Sequence, residues 1–183
     1  MEQAVIPGVR YIPHYIDRHT QEQLLGAVDE QTWQRSARHR VQVYGYHYNH
    51  RQQAAYRIGD LPPWAAALAE QLHRDGLIAS TPNQLVANAY EPGVGIFDHV
   101  DQAVFGDVVI SVSLGSTCIM RFTQAAPEAP REILLEPGSA LVLSGEARWD
   151  WKHGIPDRLS DRWEDREYVR SRRISLTFRA VPA

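Results

Sequence analysis

Residues 84–101 read QLVANAYEPGVGIFDHVD, and the rest of the chain can be interpreted outward from this stretch. It begins with a β-rich run, passes through a turn rich in glycine and proline, and ends at His99 and Asp101. In an extended strand, side chains two residues apart point to one face, so this imidazole and this carboxylate can converge on one ion. Two histidines and one carboxylate on one face of an octahedral ion leave positions open for substrate and oxygen.

The third ligand is predicted at His153, which follows Trp151 in the run WKHGI at the end of a predicted strand. A histidine at such a turn is, taken alone, more often structural than a metal ligand. Residues 73–75 repeat the His-x-Asp spacing at the end of a predicted helix, where residues two apart do not share a face. We therefore interpret that second copy as structural, since a histidine and an arginine also suit a helix C-terminus.

Beyond Thr81 the chain consists of short β-rich runs separated by glycine and proline. The predicted strands are Gln84–Tyr90, Asp107–Leu114, Thr117–Thr123, Arg131–Leu135, Ser139–Leu143, Ala147–Trp151 and Arg172–Val181. Within the second run, aliphatic residues alternate with Ser111 and Ser113, a pattern typical of a strand with one buried face.

Two helices are predicted before Thr81. A capping box formed by Thr20 and Gln23 opens the first, and the second follows Asp60 and ends at Gly76. Helices followed by seven short strands indicate an α+β, mainly β fold: a double-sheet jelly roll buttressed by two N-terminal helices. We expect residues 1–183 to form a single domain, with helical support in 1–80 and the jelly-roll core in 81–183.

The predicted strand near the C-terminus carries a polar stripe. Its odd positions place Arg173 and Arg179 at the two ends of a polar face, and its even positions are apolar. Two guanidinium groups that lean inward can bracket a small dianion. Asn88 and Tyr90 place two polar groups on one face of another strand in the same way. The alternative is a solvent-facing strand surface on which arginine serves solubility.

The charges are unevenly distributed along the chain, whose net charge is −3. Residues 31–59 contain no Asp or Glu but hold five arginines, among them Arg38 and Arg40. Such a segment can hold phosphates. Tyr44, Tyr46 and Tyr48 would share one face if extended and could stack on bases, or could equally pack against the jelly roll.

The composition excludes several other classes of protein. The hydrophobic content of 44% with 22% charged residues is typical of a globular protein. The single cysteine, Cys118, excludes an internal disulfide framework and a multi-cysteine zinc site. The chain has no apolar run of about 20 residues and no secretory signal at its start, so we expect a cytoplasmic protein without a membrane span.

Taken together in order, Asn88-x-Tyr90, His99-x-Asp101, His153 and Arg173-x5-Arg179 resemble the AlkB family of dioxygenases. The phrases NAYEPGVGIFDHVD, SLGS, WKHGI and RRISLTFR carry the resemblance over roughly residues 85–180. A looser similarity covers VYGYHY at residues 43–48.

The resemblance implies a double-stranded β-helix that holds Fe(II) through His99, Asp101 and His153. It implies that 2-oxoglutarate, the cosubstrate used with O2, chelates the metal. The family pattern places Arg173 and Tyr90 at its far carboxylate, and Asn88 and Arg179 near its other end. It further implies that the segment containing Arg38, Arg40, Tyr44 and Tyr46 is a lid that grips nucleic acid, and that Trp151 lies beside the substrate.

Three functions remain open at this point. The leading one is oxidative demethylation of N-alkylated bases, of the 1-methyladenine and 3-methylcytosine type, in single-stranded DNA or RNA. The second is hydroxylation of a tRNA modification, a protein or a small molecule on the same core. The third is a non-catalytic jelly-roll binding module. The chain also departs from the DNA-repair members of the family at Ala103, where those members carry a carboxylate that helps to read the base.

Overall fold

The computed structural model describes residues 6–124 and 129–182. Its helices are α1 (Arg18–Asp29), α2 (Pro63–Arg74) and α3 (Gly145–Trp149), and a short 3-10 turn covers Ala103–Phe105. In chain order, its strands are β1 (Val9–Ile12), β2 (Gln34–Arg35), β3 (Arg40–Tyr44), β4 (Tyr46–Asn49), β5 (Ala54–Arg57), β6 (Gln84–Tyr90), β7 (Ile96–His99), β8 (Val109–Gly115), β9 (Cys118–Thr123), β10 (Arg131–Leu135), β11 (Ala140–Leu143), β12 (Lys152–Ile155), β13 (Ser160–Trp163), β14 (Arg166–Val169) and β15 (Arg173–Arg179).

Two antiparallel sheets form the body of the fold. Within the described residues, the larger sheet has the strand order β1-β11-β8-β15-β6-β3-β2 and the smaller sheet has the order β10-β9-β12-β7. The pairs β4–β5 and β13–β14 are two-stranded hairpins outside these sheets. Most neighbours in each sheet come from distant parts of the chain, as in a jelly roll. The predicted mainly β architecture is confirmed.

The inner core lies between the two sheets. Tyr90 and Leu141 of the larger sheet share one buried apolar cluster with Phe122, Ile133 and Ile155 of the smaller sheet. All five are less than a tenth exposed. This cluster joins the sheets face to face and leaves a polar space beside it, where the candidate site lies.

The outer core lies between the larger sheet and the two N-terminal helices. Leu24 of α1 and Leu72 of α2 belong to one buried cluster with the even-numbered residues Ile174, Leu176 and Phe178 of β15. Burial of each such side chain stabilises the fold by roughly 1.5–3 kcal/mol. Because the even positions face the helices, the odd positions of β15 face the space between the sheets.

The ends of both helices follow from local chemistry. Asp17, and not the predicted Thr20, caps α1, because its carboxylate accepts a hydrogen bond from the Thr20 backbone N–H at 2.8 Å. Pro63 stands at the first position of α2, where its missing N–H costs nothing. Gly76, with a φ of +70°, follows the last turn of α2 as predicted.

The strand predicted over Ala147–Trp151 is wrong. Residues Gly145–Trp149 form the helix α3, in which the N–H of Asp150 donates to the carbonyl of Glu146 at 2.7 Å. The N–H of Arg148 likewise donates to the carbonyl of Ser144 at 3.3 Å, and such bonds between residues four apart are those of a helix. The strand that carries His153 begins only at Lys152.

The segment 6–80 contains more strand than the sequence predicted. In addition to its two helices, it supplies β1, β2 and β3 to the larger sheet and the hairpin β4–β5. These strands are only two to five residues long, so their alternation is too brief to be distinguished from that of a loop.

The serines of β8 are not on a solvent face. Ser113 is 1% exposed and Ser111 9%, so both faces of the strand are buried. One face packs against the helices and the other lines the polar space between the sheets. The alternating pattern was identified correctly, but the serine face lines a cavity.

No helix in the described part of the chain is long and apolar enough to span a membrane.

Candidate metal and cosubstrate site

His99, Asp101 and His153 lie together between the two sheets. Their potential ligand atoms all fall within 4.8 Å of one another. The rings of His99 and His153 are 4.5 Å apart between centroids, and His153 Nε2 lies 3.3 Å from a carboxylate oxygen of Asp101. The other His-x-Asp sequence plays a structural part, since His73 lies in the last turn of α2 and its Nδ1 lies 3.0 Å from the Ile78 carbonyl oxygen.

Strand pairing brings the two histidines together. His99 of β7 lies directly opposite His153 of β12 in an antiparallel ladder. Gly154 allows the strands to approach, because a Cβ at this position would lie 2.4 Å from Asp98 Oδ1 and 2.9 Å from the Ile96 carbonyl oxygen. The glycine that follows His153 is therefore a steric requirement of the site.

The protonation of His99 suits a metal ligand. Its Nδ1 lies 2.8 Å from the Phe97 carbonyl oxygen. Since a carbonyl can only accept, Nδ1 carries the proton and Nε2 keeps a free lone pair. Burial, followed by the neighbouring His153, lowers the pKa of His99. A neutral imidazole with one free nitrogen is the form that binds a metal ion.

Asp101 is held in its charged form. Burial alone would raise its pKa, but the ion pair with Arg179 and the contact with His153 outweigh burial and hold the pKa well below its usual range. Only 5% of the carboxylate side chain is exposed. The site therefore offers a permanent negative charge and two imidazoles, a donor set suited to a divalent transition metal.

The polar stripe of β15 faces this site. Arg173 lies opposite Tyr90 of β6, and Ser175 lies between Asn88 of β6 and Ser113 of β8. Arg173 is 3% exposed, so the solvent-facing alternative is wrong for this end of the strand. The guanidinium donates to Ser113 Oγ at 2.9 Å and lies 5.8 Å from the centroid of the Tyr90 ring.

Arg173 has unused hydrogen-bond donors. Its Nε and Nη1 atoms are buried and have no hydrogen-bond partner among the described residues. An unsatisfied buried donor costs about 1–3 kcal/mol, and more when it is charged. A carboxylate that enters the space between the sheets can accept from a guanidinium in two-point geometry. This end of the stripe therefore fits one carboxylate of a small dianion.

A cavity of about 110 Å³ joins the triad to the polar stripe. Its lining combines the polar side chains of the triad and the stripe with apolar side chains of both sheets, among them Ile96, Met120, Leu143 and Ile155. The cavity has the size of a compact ligand. It also contains a cluster of candidate metal-ligating atoms and a guanidinium with unsatisfied donors. The residues present fit a metal ion together with a short dicarboxylate.

Comparison with known proteins agrees with this geometry. Residues 8–179 match the model of the 2OG-Fe(II) oxygenase superfamily. The chain is 35% identical to the Mus musculus tRNA (carboxymethyluridine(34)-5-O)-methyltransferase ALKBH8 over 87% of its own length. It is 32% identical to the Arabidopsis thaliana alkylated DNA repair protein ALKBH8 homolog over 96% of its length. The chain belongs to the AlkB family of this superfamily. It is an Fe(II)- and 2-oxoglutarate-dependent dioxygenase that uses O2.

The fold agrees with a solved structure as well. The AlkB-family chain superimposes on OsALKBH1 with a TM-score of 0.72, at 16% identity, over 97% of this chain and 99% of that one. It spans 59% of the length of the Arabidopsis relative and 26% of that of the mouse relative.

His39 also contacts the site of this AlkB-family protein, although the sequence did not indicate it as a site residue. The His39 ring stacks on Tyr90 with centroids 4.8 Å apart, and its Nε2 lies 3.0 Å from Asn88 Oδ1. His39 thus contacts the side chains of two of the predicted cosubstrate residues. No local pattern marked it, because its partners lie about 50 residues away in the chain.

The two arginines predicted to hold phosphates are engaged with acids. Arg38 pairs with Asp157 and its guanidinium lies 4.3 Å from the centroid of the exposed Phe97 ring. Arg40 pairs with Glu91 at 2.7 Å. All of these contacts are at least partly open to solvent. A phosphate must compete with the two carboxylates for these arginines.

The structure does not place the three tyrosines on one face. Gly45, with a φ of +76°, separates β3 from β4 and turns the chain into a different sheet. Tyr44 packs edge-on against Trp64 beside the outer core, and Tyr46 lines a separate surface groove. Tyr48 alone approaches the site, since its hydroxyl lies 3.1 Å from Gln102 Oε1 and its ring 5.8 Å from that of Phe105.

Trp151 is 2% exposed and belongs to the inner apolar cluster. It is not among the described residues that line the cavity, and the Arg131 guanidinium lies 4.9 Å from the centroid of its ring. This placement suits packing beneath the strands that carry the candidate metal ligands.

Proposed function

We propose that His99, Asp101 and His153 bind the Fe(II) ion of this dioxygenase. The observation that carries the proposal is the convergence of their ligand atoms within 4.8 Å, at one end of a cavity that also holds Arg173. Arg173 and Tyr90 would hold the far carboxylate of 2-oxoglutarate. Asn88 and Arg179 would lie near its metal-binding end.

The chain's own residues prepare the site for the reaction. When bound, the metal and 2-oxoglutarate supply oxygen activation, with release of succinate and CO2. The Phe97 carbonyl fixes the tautomer of His99, and Arg179 orients the Asp101 carboxylate. Apolar side chains such as Met120 and Ile155 form part of the same cavity lining and limit the access of water to it.

We propose a nucleic-acid substrate for this enzyme. The acid-free segment 31–59 contributes Arg38 beside the exposed Phe97, and Tyr48 beside the loop that follows Asp101. Both features lie next to residues of the metal-ligating segment. Aromatic rings and guanidinium groups at the edge of a site are suited to stacked bases and to phosphates.

Within that class, the first candidate reaction is oxidative demethylation of N-alkylated bases in single-stranded DNA or RNA. Hydroxylation of the methyl carbon gives an unstable hemiaminal that releases formaldehyde. A base has to leave its stack to reach the cavity, which favours single strands. The name of the Arabidopsis relative, an alkylated DNA repair protein homolog, agrees with this candidate.

A second candidate is oxidation of a modified uridine in tRNA. N-alkylated adenine and cytosine carry a positive charge, whereas Asp101 is the one carboxylate among the described residues lining the cavity, and Arg179 already pairs with it. The position two residues after Asp101 is Ala103. A neutral or anionic base therefore meets less electrostatic opposition. The mouse relative is named for carboxymethyluridine in tRNA, which agrees with this candidate.

One experiment separates these candidates. The purified chain is incubated with Fe(II), 2-oxoglutarate and ascorbate. The substrates are single-stranded DNA or RNA carrying 1-methyladenine or 3-methylcytosine, and an RNA stem-loop carrying carboxymethyluridine. Loss of one methyl mass supports demethylation, and gain of one oxygen mass on the stem-loop supports uridine oxidation. Both changes should be absent in His99→Ala and Asp101→Ala. Succinate formation with every nucleic acid unchanged would contradict the nucleic-acid proposal.

We further propose that residues 1–183 form one dioxygenase domain, with the jelly-roll core in residues 81–183. The shared outer core supports this, because it joins Leu24 and Leu72 to β15. The cytoplasmic location stays a prediction of the sequence.

A further inference from the structure

The three proposed metal ligands differ in how the backbone holds them. His99 and His153 lie opposite each other in the β7–β12 ladder, so strand hydrogen bonds fix their positions. Asp101 lies two residues beyond the end of β7, in the loop that leads to the 3-10 turn. No strand pairing extends to Asp101 within the described residues. Some other contact has to fix its backbone.

Arg148 supplies that contact. Its side chain is 2% exposed and donates three hydrogen bonds to backbone carbonyl oxygens of this one loop. Nη1 donates to Asp101 at 2.9 Å, Nη2 to Gln102 at 2.8 Å and Nε to Gly106 at 3.0 Å. The rigid guanidinium fork therefore clamps the segment 101–106 at both of its ends.

The position of Arg148 in the chain explains why this contact matters for the site. Arg148 belongs to α3, the helix that leads directly into β12 and His153. Its guanidinium lies 4.1 Å from the centroid of the Trp149 ring, and this stacking holds the plane of the fork. One side chain thus ties the loop of Asp101 to the segment that carries the third ligand.

We propose that Arg148 is a positioning residue for the metal centre, which sets the Asp101 backbone relative to His153. Among the described residues, Arg148 is not one that lines the cavity, and its hydrogen bonds to the Asp101 loop go to backbone carbonyl oxygens. Its effect is transmitted through the carbonyl oxygens of the Asp101 loop. The inference rests on the proposed metal ligands and is independent of which substrate the enzyme oxidises.

Arg170 is a matched control, because it is a second buried arginine whose hydrogen bonds go to other parts of the structure. Arg170 is 7% exposed, pairs in two-point geometry with Asp161 and donates to the Pro156 carbonyl at 2.8 Å. Its loss should destabilise the fold without altering the triad. A difference between Arg148 and Arg170 variants therefore separates positioning from general packing.

The test measures binding of Co(II), whose visible absorption reports the ligand geometry, to the metal-free full chain. Arg148→Lys keeps the charge but reaches fewer carbonyl oxygens, and we expect it to weaken Co(II) binding by about tenfold or more, with an altered spectrum. Trp149→Ala removes the stacking partner, which is 40% exposed, and should weaken binding to a smaller extent. Arg170→Lys should lower the melting temperature and leave Co(II) affinity unchanged.

Three outcomes are decisive. Wild-type Co(II) affinity and spectrum in both Arg148→Lys and Trp149→Ala would overturn the proposal, as would an equal loss of affinity in Arg170→Lys. If Arg148→Lys does not fold, Trp149→Ala decides alone, since that residue is partly exposed. Unchanged Co(II) binding in His99→Ala would instead show that the assigned ligands are wrong, which is a separate failure.

Discussion

His99 and His153 are direct partners across the β7–β12 ladder, with their ring centroids 4.5 Å apart. The distance between two proposed metal ligands is therefore a property of strand pairing. It changes whenever the spacing of the two strands changes. The following predictions test the elements that set this spacing and those that surround it.

Gly154→Ala should disrupt the site without removing a ligand. Its Cβ would meet Asp98 and the Ile96 carbonyl oxygen at 2.4–2.9 Å, so β12 has to move away from β7. We expect Co(II) binding to weaken by about tenfold or more. Gly26→Ala is the control, since nothing lies within 4 Å of its added Cβ in α1 and the change should stabilise the helix by roughly 0.5–1 kcal/mol. Normal metal affinity in Gly154→Ala would show that the ladder tolerates a wider spacing.

Arg173→Met should impair binding of 2-oxoglutarate. Arg173 lines the cavity, and two of its buried nitrogen atoms have no hydrogen-bond partner among the described residues. A charged hydrogen bond contributes about 1.5–3 kcal/mol, or roughly a ten- to hundredfold change in affinity. Titration calorimetry of 2-oxoglutarate into the Mn(II)-loaded protein measures this. The neighbouring Arg172→Met is the control, because Arg172 pairs with Asp29 on the partly exposed side. Equal affinities in the two variants would refute the placement of the cosubstrate.

His39→Ala should weaken 2-oxoglutarate binding and spare metal binding. The change removes the hydrogen bond to Asn88 and the stacking on Tyr90, and a single neutral hydrogen bond corresponds to about a fivefold loss. His39→Phe keeps the stacking and should recover part of the affinity. His47→Ala, on the hairpin β4–β5, serves as a matched histidine control. A metal affinity that falls together with that for 2-oxoglutarate would contradict a role limited to the cosubstrate residues.

Removal of Arg38 and Arg40 together should weaken the binding of single-stranded oligonucleotides and flatten its salt dependence. Two lost phosphate contacts reduce the slope of log affinity against log salt by about 1.4. The loss at low salt should be smaller than for free arginines, because each guanidinium already pairs with a carboxylate. The double variant Arg10→Ala/Arg18→Ala removes the same charge elsewhere and should leave the slope unchanged. An identical slope in both double variants would remove the basis for assigning this segment to nucleic acid.

Much of the site could be predicted from local spacing. Residues two apart share a face of any strand, so the His99–Asp101 pair and the polar stripe from Arg173 to Arg179 were recognisable before any tertiary contact was known. The helices α1 and α2 and the seven-residue strands β6 and β15 were identifiable as well, since each is long enough to show its period.

The tertiary structure decided which groups pack against each face of a helix or strand. The serines of β8 alternate as on a solvent-facing strand, yet both are buried and Ser111 lines the cavity. Tyr44 packs against Trp64, whereas Tyr48 approaches the loop after Asp101. The contacts of His39 with Asn88, and of Arg148 with the Asp101 loop, join segments more than 40 residues apart. Periodicity specifies the directions of side chains along one element, whereas their partners depend on how distant elements pack. The spacing of residues therefore identified the candidate ligands, and only the packing of β7, β12 and α3 revealed how they are held.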